Sequence, residues 1–392
     1  MAVSARIHEI MGSSSFIRKM FETGAELKKE YGADKVFDFS LGNPAMLPPA
    51  AFHDTLAKTA ADPRYHAYMP NAGFEDVRNK VARFVSREQH VSLTAENIVM
   101  TTGAGGALNT VLKTLLNPGD TVVASTPCFM EYTFYCDNHG GTLVLAEGTK
   151  DFNIDVSAVE KAITPKTAAV IINSPNNPSG RVYPEETISS LCAMLERKSR
   201  ETGRTIYLIS DEPYRKIVYD NVIVPSILDH YDHAIICTSY SKDLSIPGER
   251  IGWLAVHPQA DDFENLLGGI ILCNRILGYV NAPALMQRTI AELQGVSVNV
   301  DLYRKKRDVL AAGLRDMGYR FRLPEGTFYL FVEAPGGDDL AITEALLEER
   351  ILVVPGRGFA FPGYFRIAYC VEDRVIEGAL PGFKQALKRI QK

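Results

Sequence analysis

Cysteine is scarce in this sequence, with six among 392 residues, and no two of them form a Cys-x-x-Cys pair. A disulfide framework or a zinc site needs closely spaced cysteines, so this dispersion argues against both. The eight histidines add no metal-ligand spacing. Several cysteines, such as Cys237 and Cys370, stand in apolar runs. We therefore predict buried, reduced thiols and no metal site.

Long apolar runs and blocks of one charge are also missing. No apolar run is long enough to cross a bilayer, and the N-terminal residues lack the apolar core of a signal peptide. We therefore expect a cytoplasmic protein with no membrane partner. The 42 basic and 47 acidic residues leave a net charge of −5 without a basic cluster, which argues against a nucleic-acid partner.

The sequence does contain an alternation of short apolar, β-branched runs with helical patterns such as 104–116 and 184–198. This alternation predicts an α/β protein with a mostly parallel seven-stranded sheet, covered by helices on both faces. Ligands bind to such sheets at the carboxyl ends of the strands. The predicted strands are residues 97–101, 121–125, 142–146, 168–173, 206–210, 234–238 and 251–256.

The C-terminal part of the chain has a different pattern and predicts a smaller α+β unit. A long helical stretch at 283–317 precedes a strand at 327–332 and a helix at 341–349. Strand-like runs follow at 351–354 and 364–370, and a final helix ends the chain.

Both termini are expected to build this smaller unit. The N-terminal segment is rich in helix formers from Ser15 to Tyr31 and is expected to pack with it. We predict a large cofactor-binding domain at residues 48–285 and a small domain made of residues 1–47 and 286–392. No repeat, low-complexity tract or long linker interrupts the chain.

Lys242 stands just after the predicted strand 234–238 and eight residues before Arg250. A lysine amine forms Schiff bases with carbonyl compounds, including pyridoxal phosphate, when its surroundings let it lose its proton. Ser239, Ser241 and Arg250 can turn toward the same point and offer donors suited to a phosphate. A solvated loop lysine is the plainer interpretation of any single lysine. The residues at the ends of the other predicted strands favour a functional site instead.

Three more predicted strands end in polar or glycine-rich segments. The run 101–107 opens a helix, where backbone N–H groups can hold a phosphate. Asn177 lies in a loop constrained by two X-Pro pairs, which presents its amide as a donor. Asp211 follows an apolar run, where a carboxylate is costly to bury unless a cation such as a cofactor ring nitrogen pairs with it. Each segment alone also fits a plain turn or helix cap.

Two further residues complete the predicted crevice. Phe129 follows the strand 121–125 and places an aromatic ring over it, although core packing is the plainer interpretation of that residue alone. Arg366 lies inside an apolar strand, where a buried guanidinium needs a planar anion. A substrate carboxylate or an internal salt bridge would supply one.

In their order and spacing these segments resemble the class I/II aminotransferases, which are fold type I pyridoxal-phosphate enzymes related to aspartate aminotransferase. The resemblance extends over nearly the whole chain, from the Leu-Gly-Asn-Pro segment at Leu41 to the C-terminal helix. It implies pyridoxal 5′-phosphate as the cofactor. It also implies amino transfer between an L-amino acid and a 2-oxo acid through a Schiff base at Lys242. The matching segments are Gly103–Ala107, Asn173–Gly180, Asp211 with Tyr214, Ser239–Lys242 with Arg250, and Arg366.

The resemblance implies roles for the residues around the cofactor ring. Lys242 is expected to be the Schiff-base lysine and the base that moves the proton on the substrate Cα. Asp211 is expected to pair with the pyridine nitrogen. Asn177 and Tyr214 are expected to hydrogen-bond the ring phenolate oxygen, and Tyr214 joins Lys242 and Asp211 as a catalytic residue. Phe129 is expected to stack on the ring.

The resemblance also implies a phosphate site. The backbone N–H groups of Ala104 and Gly105 are expected to form it with Ser239 and Arg250, and Ser241 is a weaker candidate. Many relatives carry Ser, Thr or Gln side chains where this chain has Ala104 and Gly105. Phosphate binding is therefore expected to rely more on backbone groups here.

Substrate and partner contacts follow from the same resemblance. Gly42, Asn177 and Arg366 are expected to hold the substrate α-carboxylate. Tyr68, five residues before Gly73, resembles the tyrosine that reaches the partner subunit's phosphate. This implies a homodimer with shared active sites.

The substrate side chain and the reaction type stay open at this point. Arg275 lies near where some relatives place an arginine for a second carboxylate, whereas Phe16, Tyr329 and Phe359 could line an apolar pocket. A lyase, cyclase or oxidase with the same cofactor is the alternative to amino transfer. A cofactor-binding regulator is disfavoured, because the roughly forty residues before Gly42 are too few for a DNA-binding module.

Overall fold

The computed structural model describes residues 2–12 and 16–391. Its α-helices are α1 (Ala5–Gly12), α2 (Phe16–Tyr31), α3 (Ala50–Ala60), α4 (Glu75–Gln89), α5 (Gly103–Leu115), α6 (Glu131–Asp137), α7 (Val156–Ala162), α8 (Glu185–Thr202), α9 (Phe263–Ile276), α10 (Ala284–Ala291), α11 (Val300–Met317), α12 (Asp339–Glu348) and α13 (Asp373–Ile390). Its strands are β1 (Phe37–Asp38), β2 (Ile98–Thr101), β3 (Thr121–Ser125), β4 (Thr142–Ala146), β5 (Thr167–Asn173), β6 (Tyr207–Asp211), β7 (Ala234–Ser239), β8 (Gly252–Val256), β9 (Tyr329–Glu333), β10 (Ile351–Leu352), β11 (Val354–Pro355) and β12 (Tyr364–Ala368).

Seven of these strands form one large sheet in the order β2-β8-β7-β6-β5-β3-β4. The strands from β7 across to β4 are parallel, whereas β8 runs antiparallel to both of its neighbours, β2 and β7. The ends of each predicted strand lie within about one residue of the ends of an observed strand. Methods that assign secondary structure differ from one another by at least this much. The predicted α/β fold with a mostly parallel seven-stranded sheet is confirmed.

The large sheet is covered on both faces, as its unbroken apolar runs predict. Successive side chains of a strand point to opposite faces. Ile171 and Ile235 accordingly enter the core on one side of the sheet, which includes Val111 of α5. Ile172 and Ile236 enter the core on the other side. Because the central strands are buried on both faces, polar groups at their ends face either a cavity or another polar group.

The C-terminal unit has a core of its own. The antiparallel sheet β11-β12-β9 and helices α11 and α13 enclose apolar side chains such as Leu310, Leu330 and Phe383. The N-terminal helix α2 lies beside this unit, where Lys28 Nζ donates to Asp38 Oδ2 at 2.6 Å. Ser15, the first residue of the predicted helical segment, lies outside the described residues. The domain boundaries at 47/48 and 285/286 stay a prediction.

Two predicted elements of the C-terminal unit are divided in the structure. The helical stretch 283–317 forms α10 and α11, which are separated by Gly295 in the left-handed region (φ 86°). Asn299 then accepts a hydrogen bond from the Asp301 N–H and caps the start of α11. The run 351–354 forms two short strands, of which β10 pairs with β1 and β11 pairs with β12.

The cysteines are buried and unpaired, in agreement with the predicted reduced thiols. Within residues 2–12 and 16–391, no helix combines the length and the apolar character needed to cross a membrane. The same residues contain no group of three or more His, Cys, Asp or Glu side chains arranged to hold a metal ion.

Candidate active site

One cleft of about 280 Å³ lies at the carboxyl ends of β5, β6 and β7, beside the N-terminus of α5. This is the position at which sheets of this kind bind ligands. The structure brings all the predicted site residues except Tyr68 to the lining of this cleft. They are Gly42, Ala104, Gly105, Phe129, Asn177, Asp211, Tyr214, Ser239, Ser241, Lys242, Arg250 and Arg366.

Lys242 projects into the cleft from the loop that follows β7. Its Nζ donates a hydrogen bond to the backbone carbonyl of Gly42 at 2.8 Å. Burial lowers the pKa of Lys242 to about 8, and the positive charges of Arg250 and Arg366 act in the same direction. A substantial fraction of this amine is therefore neutral near physiological pH, as a nucleophile or a base requires.

Asp211 is the last residue of β6 and is buried in the lining of the cleft. Its Oδ2 accepts a hydrogen bond from the Tyr132 hydroxyl at 2.7 Å. Its Oδ1 is buried and has no hydrogen-bond partner among the described residues. Burial raises the pKa of Asp211 to about 7, despite the opposing hydrogen bond from Tyr132. A buried carboxylate oxygen without a partner suits a cationic N–H donor in the cleft.

Asn177 and Arg366 contact each other in the lining of the cleft. An Arg366 Nη donates to Asn177 Oδ1 at 3.0 Å, and the other Nη donates to the Ser40 carbonyl at 2.5 Å. Arg366 is only 2% exposed, and its Nε has no hydrogen-bond partner among the described residues. Among the described residues, Arg366 does not form the internal salt bridge that was considered from the sequence. The guanidinium therefore keeps its charge available for an anionic ligand.

Tyr214 also lines the cleft. Its hydroxyl shares a hydrogen bond of 2.9 Å with the hydroxyl of Tyr329, which also lines the cleft. Burial raises the pKa of Tyr214 well above its usual value, so Tyr214 is a neutral hydrogen-bond donor or acceptor at physiological pH.

The N-terminus of α5 closes the end of the cleft near Arg250. Gly103 begins the helix in the left-handed region (φ 77°), and Ala104 and Gly105 form its first turn. Arg250 Nη2 would lie 3.1 Å from a Cβ added at Gly103, so the guanidinium reaches the helix start. Ser239 is buried at the end of β7 beside them. Free N–H groups, a hydroxyl and a guanidinium together form a site suited to an anion.

Phe129 lines the cleft next to the buried carboxylate. Its ring packs edge-to-face against Tyr132, with 5.7 Å between ring centroids. The same contact that orders Phe129 therefore also holds the tyrosine that donates to Asp211.

Four other residues considered from the sequence are placed differently. Tyr68 is 91% exposed and lies outside the cleft of its own chain. Arg275 is exposed near the end of α9 and does not line the cleft. Phe359 is buried beside the Arg366 guanidinium, 4.8 Å from ring centroid to Cζ, and Phe16 packs against the cluster around it. The possible apolar pocket of Phe16, Tyr329 and Phe359 is thus reduced to Tyr329.

The sequence interpretation missed three tyrosine hydroxyls. Tyr132 holds Asp211, Tyr329 pairs with Tyr214, and Tyr135 lines the cleft near Gly105. Tyr132 and Tyr135 lie in a short helix just after Phe129. Their spacing of three residues places both on one face of this helix, which is a weak sequence signal that they lie near the same site. No sequence pattern pointed to the hydroxyl of Tyr329.

Comparison with known proteins gives a consistent result. The family model described as "Aminotransferase class I and II" matches residues 34–381. A probable aspartate aminotransferase of Methanocaldococcus jannaschii is 31% identical over 336 residues, which cover 84% of this chain and 88% of that protein. An aspartate aminotransferase of Thermotoga maritima is 30% identical, with 96% of this chain and 97% of that protein covered.

Solved structures agree with the sequence relatives. An aminotransferase from Eubacterium rectale superposes with a TM-score of 0.96 at 39% identity, with both chains covered completely. The aspartate aminotransferase of Thermus thermophilus, in a structure with maleate, gives a TM-score of 0.86 at 26% identity and covers 98% of this chain and 99% of its own.

Proposed function

Because this chain belongs to the class I and II aminotransferases, which use pyridoxal phosphate, we propose that its cleft catalyses amino transfer with Lys242 as the Schiff-base lysine. The amino group moves between an L-amino acid and a 2-oxo acid. The observation that carries the assignment is one cleft in which a lysine of lowered pKa lies with a buried, half-partnered aspartate. Both features cost stability, and both match what this chemistry needs.

The residues of the cleft fit the cofactor. Asp211 Oδ1 provides a buried acceptor for a protonated pyridine nitrogen. Phe129 supplies a ring face for stacking, and the side chains of Asn177 and Tyr214 supply donors for the ring oxygen. When bound, the cofactor supplies an electron sink for the bond that breaks at the substrate Cα.

The phosphate is held at the start of α5 in this proposal. Ala104 and Gly105 line the cleft in the first turn of α5, where their backbone N–H groups would bind the phosphate, and Ser239 and Arg250 add a hydroxyl and a positive charge. Ser241 is buried in the same lining and is a weaker contributor. Since Ala104 and Gly105 carry no polar side chain, the backbone contributes a larger share of the binding.

Lys242 acts twice in the proposed cycle. Its neutral amine would hold the cofactor, and as a free amine it would accept the proton from the substrate Cα and pass it to the cofactor. A pKa of about 8 places the amine near the operating pH, where a group can both accept and donate a proton efficiently. Asp211 keeps its negative charge opposite the ring nitrogen, which favours the protonated ring during this step.

Arg366 binds the substrate α-carboxylate, with Gly42 and Asn177 beside it. The guanidinium is ordered by two neutral oxygens, and its Nε has no hydrogen-bond partner among the described residues, so its positive charge is left for an anionic ligand. A planar fork of N–H donors matches a carboxylate in shape and charge. Relatives named aspartate aminotransferases make aspartate the first amino donor to test.

The proposed enzyme is a homodimer in which Tyr68 reaches the partner's phosphate site. The exposure of Tyr68 outside its own cleft supports this arrangement, because an aromatic side chain that is 91% exposed is available to a second subunit. The two-domain division at residues 48–285 and at 1–47 with 286–392 belongs to the same proposal, since the cleft lies between the two cores.

Absorbance spectroscopy of the purified protein with pyridoxal phosphate tests the function. A visible band is expected, which a panel of amino acids starting with aspartate bleaches and a 2-oxo acid restores. Lys242→Ala is expected to lose the band and at least 10²–10⁴-fold of the turnover, because it lacks the general base as well as the attachment point. Lys113→Ala, which alters an exposed lysine of α5, is the matched control and should behave as wild type. Turnover by Lys242→Ala near the wild-type rate would overturn the assignment.

A further inference from the structure

Tyr329 touches both halves of the proposed site. Its hydroxyl lies 2.9 Å from the hydroxyl of Tyr214, on the cofactor side. Its ring lies 4.5 Å from the Arg366 Cζ, on the substrate side. Tyr329 is itself 3% exposed and begins β9, so its position is set by the core of the C-terminal unit.

The hydroxyl of Tyr329 determines which way Tyr214 can donate. A phenol carries one proton, so Tyr214 can donate either to Tyr329 or to a ring oxygen in the cleft, but not to both. When Tyr214 donates into the cleft, its own oxygen is left as the acceptor for Tyr329. Tyr329 then donates its proton to the Tyr214 oxygen, and hydrogen bonds in such a chain strengthen one another in a buried site.

The ring of Tyr329 holds the guanidinium of Arg366. Arg366 Cζ lies 4.5 Å from the Tyr329 ring centroid and 4.8 Å from the Phe359 ring centroid, so the cation contacts two aromatic rings. Neither ring neutralises its charge, and its hydrogen-bond acceptors among the described residues are the neutral oxygens of Asn177 and Ser40. Two rings therefore hold the cation in place without competing with an anionic ligand.

Gly42 is the third contact of Tyr329. A Cβ at position 42 would overlap the Tyr329 hydroxyl oxygen, so only glycine leaves room for that hydroxyl beside the backbone. The carbonyl of Gly42 also accepts the hydrogen bond from Lys242 Nζ. The Tyr329 hydroxyl is thus packed against the segment that holds the lysine.

We propose that Tyr329 is a positioning residue with two separable effects: its hydroxyl directs the Tyr214 proton toward the cofactor, and its ring orients Arg366 for the substrate carboxylate. This inference rests on the function proposed above and names a residue that the family resemblance left unassigned. It places no new group in contact with the reacting atoms.

Two variants separate the effects. Tyr329→Phe removes the hydroxyl and keeps the ring, whereas Tyr329→Leu removes both. A donor to the ring oxygen stabilises the deprotonated cofactor more than the protonated one. In Tyr329→Phe we therefore expect the pKa of the visible band of the bound cofactor to rise by about 0.5 to 1, with the amino-donor KM changed less than about 2-fold.

Phe359→Leu is the matched control for the ring. It removes one of the two rings that contact Arg366 and leaves the Tyr214–Tyr329 pair intact. We expect Tyr329→Leu and Phe359→Leu to raise the amino-donor KM about 5- to 30-fold, with the pKa of the visible band unchanged in Phe359→Leu. A purely structural role for Tyr329 would instead lower the amount of folded enzyme without moving the pKa of the band.

The result that overturns the proposal is a Tyr329→Phe enzyme whose band titrates as in wild type. A Phe359→Leu enzyme with an unchanged KM would overturn the part that concerns the ring. If Tyr329→Leu does not fold, Tyr329→Phe and Phe359→Leu still test the two parts separately. Failure of the underlying function looks different, because wild type itself would then show no band that an amino acid bleaches.

Discussion

At the scale of single residues, the cleft contains two ionisable groups that weaken the fold on their own. Burial lowers the pKa of Lys242 to about 8 and raises the pKa of Asp211 to about 7, so each charged form is disfavoured by its surroundings. In Asp211 one carboxylate oxygen also lacks a partner among the described residues. Such conflicts with ordinary core chemistry persist where function requires them.

Asp211→Asn is predicted to change the pH dependence of stability in the cofactor-free protein. The folded-state pKa of about 7 lies above the ordinary value of 3.8, so the folded protein holds this proton more tightly than the unfolded chain. The resulting stabilisation is complete below pH 3.8 and is lost as the pH rises from 3.8 through 7. The variant cannot ionise. Between pH 5 and pH 8 its free energy of unfolding should therefore gain on the order of 2 to 3 kcal/mol relative to wild type, as measured by urea denaturation.

Asp120→Asn is the control for this prediction. The Arg204 guanidinium and the Asn117 amide groups hold the pKa of Asp120 at about 2, so its charge stabilises the fold at both pH values. We expect this variant to be less stable than wild type at pH 5 and pH 8 alike. A stability difference between Asp211→Asn and wild type that does not depend on pH would contradict the interpretation.

At the scale of secondary structure, the reversed strand β8 brings three elements to one point. Gly252 starts β8 and pairs with Thr101 at the end of β2 and with Ser239 at the end of β7. A Cβ on Gly252 would overlap the Thr238 carbonyl and lie 2.9 Å from the Gly103 Cα. The absence of a side chain at position 252 lets α5 begin against the sheet, with Ala104 and Gly105 of its first turn in the cleft lining.

Gly252→Ala is predicted to impair both stability and phosphate binding. The added methyl group pushes the start of α5 away from the sheet, at a cost of about 1–3 kcal/mol in the free energy of unfolding. We also expect the affinity for pyridoxal phosphate to fall at least about 10-fold, because the N–H groups of the helix start are displaced. Chemical denaturation and a cofactor titration followed by absorbance measure the two effects.

Gly248→Ala is the matched control, since Gly248 lies in the nearby loop and a Cβ there meets nothing within 4 Å. It should leave stability and cofactor affinity close to wild type. If Gly252→Ala binds the cofactor as tightly as this control does, the close approach of β8 to α5 is not what shapes the phosphate site.

At the scale of the whole molecule, the proposed active site needs a second subunit. Tyr68 is 91% exposed and lies outside its own cleft, and the proposal places its hydroxyl on the partner's phosphate. Sedimentation should give a mass twice the 43.3 kDa of the chain. A homodimer with twofold symmetry would then contain two equivalent shared sites.

Mixed dimers are predicted to recover activity from two damaged enzymes. In a Tyr68→Ala and Lys242→Ala pair, one site carries both changes and the other carries neither. Unfolding and refolding an equal mixture should therefore yield about a quarter of the wild-type sites, because half of the random dimers are mixed. Each variant refolded alone is the control and should stay well below this value. No gain on mixing would place Tyr68 outside the shared site.

Much of the fold and the site could be predicted because local patterns encode them. Unbroken apolar runs indicated the strands, since strands buried on both faces contain no polar alternation. Residues such as Lys242, Asp211 and Asn177 stood directly after those runs, and parallel strands bring their carboxyl ends to one edge. The order of these segments along the chain was enough to indicate the family.

The sequence by itself thus determined the sheet, the cleft position and most of the cleft lining. Only the tertiary structure decided the direction of β8, the division of the 283–317 stretch, and the hydroxyls that support the site. The Tyr132–Asp211 bond joins residues 79 apart, and the Tyr214–Tyr329 bond joins residues 115 apart. Contacts at such separations depend on how the elements pack against one another, and the local periodicity of the chain contains no record of that packing.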